Sequence, residues 1–248
     1  MYILGIDTTG ISCTCGLINM DTGKVSVKKV ESEMSHLKYV ADITEKLLAE
    51  EGLSLSPKGE IAAVACSVGP GSFTGIRIGV AFGRSVCDAL NIPAISVPTL
   101  ELYRNKLSKA APKKPIAGII NARRGQVYGI IYDEKGDVVL KPGCHMLREL
   151  LKVSDEFPET VFYGDGVDAY MDILSEAPGR IIAPVEERYV DAGDVVMIGL
   201  EKFNKGETID FEKLLPEYHR LAEAEQKLKD GSLAKEREAK MARFINNG

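Results

Sequence analysis

One order of elements is written twice along this chain, and that repetition constrains the fold more than any single motif. In the first half an apolar run, "YILGI" at 2–6, ends in the turn Asp7-Thr8-Thr9-Gly10. Strand-like runs follow at 13–19 and 24–30, joined by "MDTGK", which has hairpin-loop chemistry. A helix is expected over 35–51, a strand over 61–68, a helix over 72–90 and a short strand over 94–97. The second half starts again with a strand at 115–120, a turn at 121–125 and a strand at 126–133. A hairpin loop at 134–137 leads to a third strand at 138–143, and a helix is expected near 146–153. A strand and Gly-rich turn at 160–166 then precede a helix at 167–177, the short strand "RIIAP" and a helix at 191–205 capped by Asp191. Identity between the halves is slight, so the repeat is one of pattern. It predicts two related α/β lobes. With 248 residues, 45% of them hydrophobic, the chain can supply two small cores. The expected division is an N-terminal lobe over 1–105, a C-terminal lobe over 106–218 and a charged helical tail over 219–248. The basic stretch "RNKLSKAAPKKP" at 104–115 reads as a helix end and a solvated linker, the alternative being a minor role touching RNA phosphates.

A net charge of −5 makes the whole chain a poor stand-alone partner for nucleic acid, because phosphate neutralisation supplies most non-specific affinity. The five cysteines are odd in number and show no C-x-x-C spacing, which fits reduced core thiols in a cytoplasmic protein. The strand-like start argues against a leader, and no apolar run reaches the roughly 18 residues of a membrane span.

The stretch "GPGSFTGIRIG" at 69–79 invites a phosphate-loop reading. A P-loop needs G-x-x-x-x-G-K-[ST], but five positions after Gly69 stands Thr74, five after Gly71 stands Ile76, and there is no lysine. The dinucleotide pattern G-x-G-x-x-G fails at Thr74 as well. What remains is a strand–turn–helix in which Ser72 caps the helix. In that helix Gly75, Gly79 and Gly83 recur every four residues and share a face. Each costs about 1 kcal/mol against alanine, roughly 3 kcal/mol together, so another backbone is expected to approach closely along that face. Ile76 and Val80 flank the glycines on one side, and Ile78, Phe82, Val86 and Ala89 on the other. In the helix at 35–51, Leu37, Val40, Ile43, Thr44, Leu47 and Leu48 share an arc with His36 at its edge. Pattern alone fits either an internal core or a surface that meets another protein.

These residues carry a family resemblance. "ILGIDTT", "SVGPGSFTGIRIGVAFGRSVCDALNIPAISVPTLE" and "YGDG" closely resemble the bacterial TsaB family, also called YeaZ, over roughly residues 2–220. The resemblance implies a two-lobed fold like the actin/Hsp70/sugar-kinase ATPases (the ASKHA fold), with duplicated β-sheet lobes and flanking helices. It implies a non-catalytic scaffold in the machinery that makes threonylcarbamoyladenosine at position 37 of certain tRNAs. It implies pairing with the catalytic subunit TsaD, joined by the ATPase TsaE, with tRNA met only through the complex and a homodimer in isolation. The implied partner surface is built from the first two helices, and the residues expected there are His36, Leu37, Val40, Leu47, Gly75, Ile76, Gly79, Val80 and Gly83.

No catalytic residue or metal is expected. The catalytic paralogue uses H-x-x-x-H on a helix, whereas four residues after His36 stands Val40. His145 and His219 are isolated. In the ATPase superfamily the turn Asp7-Thr8-Thr9 meets phosphate or metal, so no cofactor is required but a weak ATP or ADP contact there is an expectation. The matching turn of the second half begins with Asn121, where the family usually has aspartate. The alternative reading is an active ATP-dependent phosphotransferase of the same fold.

Overall fold

The computed structural model describes residues 1–31, 36–57, 59–108 and 114–219, without the side chains of Glu31, His36, Leu37, Lys38 and Ser108. The expected tail from 220 onward and the middle of the linker, 109–113, lie outside the described residues. Residues 1–217 form one compact unit.

The first half builds β1 (Tyr2–Asp7), β2 (Ser12–Asn19), β3 (Val25–Glu31), α1 (His36–Glu50), β4 (Ile61–Gly69), α2 (Phe73–Leu90) and β5 (Ala94–Pro98). The sheet order is β3-β2-β1-β4-β5. β1 is antiparallel to β2 and parallel to β4, and β4 is parallel to β5. A 3-10 segment, Thr99–Ser108, leads to the second half.

That half builds β6 (Ile116–Arg123), β7 (Gln126–Tyr132), β8 (Val138–Met146), α3 (Leu147–Ser154), β9 (Thr160–Tyr163), α4 (Asp165–Ala169), α5 (Met171–Ser175), β10 (Arg180–Ile182), α6 (Val185–Arg188) and α7 (Ala192–Asn204). Its sheet order is β10-β9-β6-β7-β8. β6 is antiparallel to β7 and parallel to β9, and β9 is parallel to β10. Strand for strand this matches the first sheet, so the repeated pattern is a repeated topology, which agrees with the duplicated lobes that the resemblance implies. The expected single helix over 167–177 is two short ones, interrupted at Tyr170, whose ψ of 26° leaves the helical region.

Alternation along β1 explains the layers. Leu4 and Ile6 point into a core with Val40, Ile43, Leu47, Ile76, Val80 and Cys87 from α1 and α2. Ile3 points to the other face, where Val195, Val196 and Ile198 of α7 complete a second core with Ala63, Ala65 and Ile95. Gly5 and Gly16 lie under α7, and a Cβ on either would come within 2.9 Å of the Ala192 carbonyl oxygen. The last long helix among the described residues therefore packs on the first sheet. Asp191 caps it, accepting from Gly193 N at 2.7 Å and Asp194 N at 3.4 Å, while Asp194 returns a bond to Asp191 N. The second sheet is covered by α3 to α5 on one face and by Leu100 and Tyr103 of the 3-10 segment on the other.

Candidate functional site

Two features of the first half lie next to each other: the turn that ends β1 and the glycine-lined start of α2. Asp7, Thr8 and Thr9 are all buried, at 3%, 1% and 4% exposure. The Thr8 hydroxyl donates to the Gly75 carbonyl at 2.7 Å. The Asp7 Oδ1 accepts from Thr9 N at 3.0 Å and from the Thr9 hydroxyl at 2.7 Å. The Thr9 carbonyl accepts from Ser72 N at 2.7 Å, and the Ser72 hydroxyl caps α2 by accepting from Gly75 N at 3.2 Å. Burial pushes the Asp7 carboxyl up from its ordinary value, outweighing the bonds from Thr9 that favour the charged form. The two threonine hydroxyls and Asp7 Oδ1 are thus bonded within the turn and to α2.

A phosphate turn needs those groups open to a ligand. Here the side chains of Asp7, Thr8 and Thr9 are buried and bonded within the chain, so the turn does not present them to a ligand. In the second half, Asn121 also turns inward: its Oδ1 accepts from Arg123 N at 2.8 Å, and its own N–H donates to Asp165 Oδ1 at 2.9 Å.

The approaching backbone foreseen for the glycine face is this turn. A Cβ on Gly75 would stand 1.9 Å from the Thr8 carbonyl oxygen, and one on Gly79 would stand 2.4 Å from the Thr8 hydroxyl. Gly83 is looser, with Ile6, Leu214 and Cys66 no nearer than 3.5 Å. Val40, Leu47, Ile76 and Val80 are likewise buried in the core between α1, α2 and the sheet. Val40, Leu47, Gly75, Ile76, Gly79, Val80 and Gly83, expected at a partner surface, are thus buried within the chain itself. The strand-end turn fills the groove at Gly75 and Gly79, and the others pack in the core between the sheet, α1 and α2. The side chains of His36 and Leu37 lie outside the described ones.

What α2 leaves outside is a different strip, about a quarter turn or more around the helix. Thr74, Ala81, Ser85 and Ala89 are exposed, and Ile78 and Phe82 are half-buried beside them. Phe73 is 37% exposed and carries the Arg77 guanidinium 4.0 Å above its ring. Next to this strip α1 exposes Ala41, Asp42, Glu45, Lys46 and Ala49. The 74, 78, 81, 85 spacing is a helical stripe of small and apolar residues, so it was present in the sequence. The glycines are the stronger signal on this helix because they carry the larger propensity cost.

Comparison with known proteins agrees with this architecture. The family model described as "TsaD: tRNA N6-adenosine threonylcarbamoyltransferase" matches residues 30–228. The chain is 30% identical over 237 residues to the tRNA threonylcarbamoyladenosine biosynthesis protein TsaB of Escherichia coli, covering 92% of this chain and 98% of the relative. It is 28% identical over 237 residues to the protein of the same name from Bacillus subtilis, covering 92% and 97%. A solved structure titled "YeaZ from Pseudomonas aeruginosa" superposes with a TM-score of 0.69 at 21% identity, covering 88% of this chain and 99% of that one. Relatives matched over nearly their whole length, within the wider group that the transferase model describes, place this chain in the TsaB (YeaZ) family of tRNA threonylcarbamoyladenosine biosynthesis proteins.

Proposed function

We propose that this chain is a non-catalytic platform of the tRNA threonylcarbamoyladenosine pathway, acting in the cytoplasm. It pairs with the threonylcarbamoyltransferase TsaD, is joined there by the ATPase TsaE, and pairs with itself in isolation. The observation that carries this reading is the strip Thr74, Ile78, Ala81, Phe82 and Ser85 on α2. It is small and apolar, sits beside the exposed face of α1, and is left open by the described residues. Small side chains let a second helix approach closely, and the half-buried Ile78 and Phe82 supply apolar area at the contact.

Two further features support the non-catalytic part. Val40, four residues after His36, has no ligating atom and is buried in the core. The turn Asp7-Thr8-Thr9 is committed to α2, so we propose that no ATP or ADP is needed and that a weak contact, if one forms, uses other groups. The geometry gives no support to the phosphotransferase alternative.

The test is co-elution of the full chain with the transferase of its own organism. Ala81→Arg places a long charged side chain on the strip without touching the core. It is expected to leave the chain folded and to abolish co-elution. A folded Ala81→Arg protein that still co-elutes overturns this surface. A tRNA modification assay with each subunit omitted in turn tests the platform role itself.

A further inference from the structure

The hairpin between β6 and β7 is built with arginines where its geometry favours other residues. Arg123 pairs with Gln126, so Arg124 and Gly125 form a two-residue loop. Arg123, Arg124 and Gly125 have φ of 62°, 56° and 74°. Two-residue hairpin loops of this kind favour Asn-Gly or Asp-Gly, because left-handed backbone is disfavoured for residues with a larger side chain. The register also shifts between Asn121 and Arg123, a bulge that re-aims the side chain there.

The tip is nevertheless held firmly. Arg123 N donates to Asn121 Oδ1 at 2.8 Å, the Gly125 carbonyl accepts from Leu147 N at 3.0 Å, and the Gln126 carbonyl accepts from the Tyr170 hydroxyl at 3.3 Å. The bond to Leu147 brings the first turn of α3 against the loop, and Arg148 follows it. Arg123, Arg124 and Arg148 are all exposed. Residues 121–126 and 146–148 contain no carboxylate of their own, and the nearest ones are the exposed Glu149 after Arg148 and Asp165, whose Oδ1 accepts from Asn121 N, so three guanidinium groups lie together on one end of the second sheet in a chain of net charge −5.

We propose that Arg123, Arg124 and Arg148 form a contact surface for the phosphates of RNA, supplied by tRNA in the complex. The proposal rests on the tRNA-pathway part of the function above and not on the α2 strip. Guanidinium groups suit this task because their planar donors pair two at a time with phosphate oxygens and stay charged at every physiological pH. Local charge of this kind provides phosphate contacts without base readout, so the surface would position RNA and leave its sequence to be read elsewhere.

The experiment is filter retention of unmodified tRNA by the full chain in complex with the transferase of its own organism, over a series of salt concentrations. The comparison is between the unaltered chain, Arg123→Ala, Arg148→Ala and, as a control, Lys135→Ala on the exposed loop between β7 and β8. Each arginine variant is expected to lower the steepness of log K against log salt by about 0.7 to 0.9, the value for one lost phosphate contact. The lysine control should not change it. Thermal melts matching the unaltered chain establish that the variants are folded. No retention at the lowest salt, or slopes equal to that of the lysine control, would overturn the proposal. So would loss of co-elution with the transferase in the arginine variants at unchanged tRNA retention, since the surface would then be a protein contact. Conversely, arginine-dependent retention with Ala81→Arg still co-eluting would remove the α2 strip and leave this surface standing.

Discussion

The Thr8 hydroxyl and the Gly75 carbonyl, 67 residues apart in the chain, are joined by a 2.7 Å hydrogen bond in the buried wedge between β1 and α2. This bond gives the three glycines of α2 different jobs. Gly75→Ala puts a methyl group 1.9 Å from the Thr8 carbonyl oxygen, backbone against backbone, so the helix must lift from the sheet. A loss of roughly 2–4 kcal/mol is expected, in the range of overpacked or cavity-forming core changes. Gly83→Ala meets only side chains at ordinary contact distance and replaces a poor helix former, so it should be neutral or stabilise by up to about 1 kcal/mol. Urea denaturation of both variants checks the contrast. Equal losses at the two positions would mean that the wedge is not where the strain falls.

The Asp7 carboxyl is raised above its ordinary 3.8 by burial. The folded chain then binds more protons than the unfolded chain between those two pKa values. Stability from this group is present at low pH and is lost as pH rises through the folded pKa. Burial raises Asp165 in the same direction. Asp7→Asn keeps an oxygen for the two Thr9 donors and carries no charge to bury. Its stability relative to the unaltered chain should therefore grow as pH is raised from about 4 to about 7. Denaturation midpoints across that range read it directly, and a difference that is flat or shrinks with pH contradicts it.

Lys106 and Asp194 make an ion pair at 3.3 Å with side chains only 4% and 3% exposed. Lys106 also donates to the Tyr189 carbonyl at 2.8 Å, and Asn105 donates to the Asp194 carbonyl at 3.1 Å. The pair ties the 3-10 segment to the start of α7. Removing one partner strands the other charge in the interior, which typically costs about 3–5 kcal/mol. Lys106→Ala is expected to fall in that range and Lys106→Ala/Asp194→Ala to lose less than the sum of the single changes. A double-mutant cycle measures this, and additive losses would show that the two groups do not act as a pair.

Much of this could be read from the residues because its causes are local. The apolar run of β1, the Ser72 and Asp191 caps and the apolar arc of α1 from Val40 onward depend on neighbours in sequence, and the structure shows each of them. Which side of α2 faces inward was not legible. Gly75 and Gly79 announce a close approach, yet the approaching group is Thr8, far away in the chain. A helix apolar on several sides gives no sign of which side is covered. The placement of α7 on the first sheet is non-local in the same way, since the element order suggests that it belongs with the strands before it. Arg123 and Arg124 looked like ordinary turn residues until their positive φ and the docking of Leu147 on Gly125 were visible.

The cysteines give a last check on how tightly the first half is closed. Cys13, Cys15, Cys66 and Cys87 are buried and Cys144 is partly exposed. Burial pushes the thiols of Cys13, Cys15 and Cys87 up to about 12 and that of Cys66 well above its ordinary value. Cys15 also shares a short contact of 3.1 Å with the Thr44 hydroxyl, inside the layer between β2 and α1. Only the thiolate attacks a disulfide reagent, and at pH 8 a thiol of that kind is ionised to about one part in ten thousand, besides being out of reach. A titration of the native chain with a chromogenic disulfide should therefore show one reactive equivalent, from Cys144, and Cys144→Ser should abolish it. In denaturant all five should react. A second fast equivalent in the native chain would mean that the core between α1, α2 and the first sheet opens far more readily than its packing indicates.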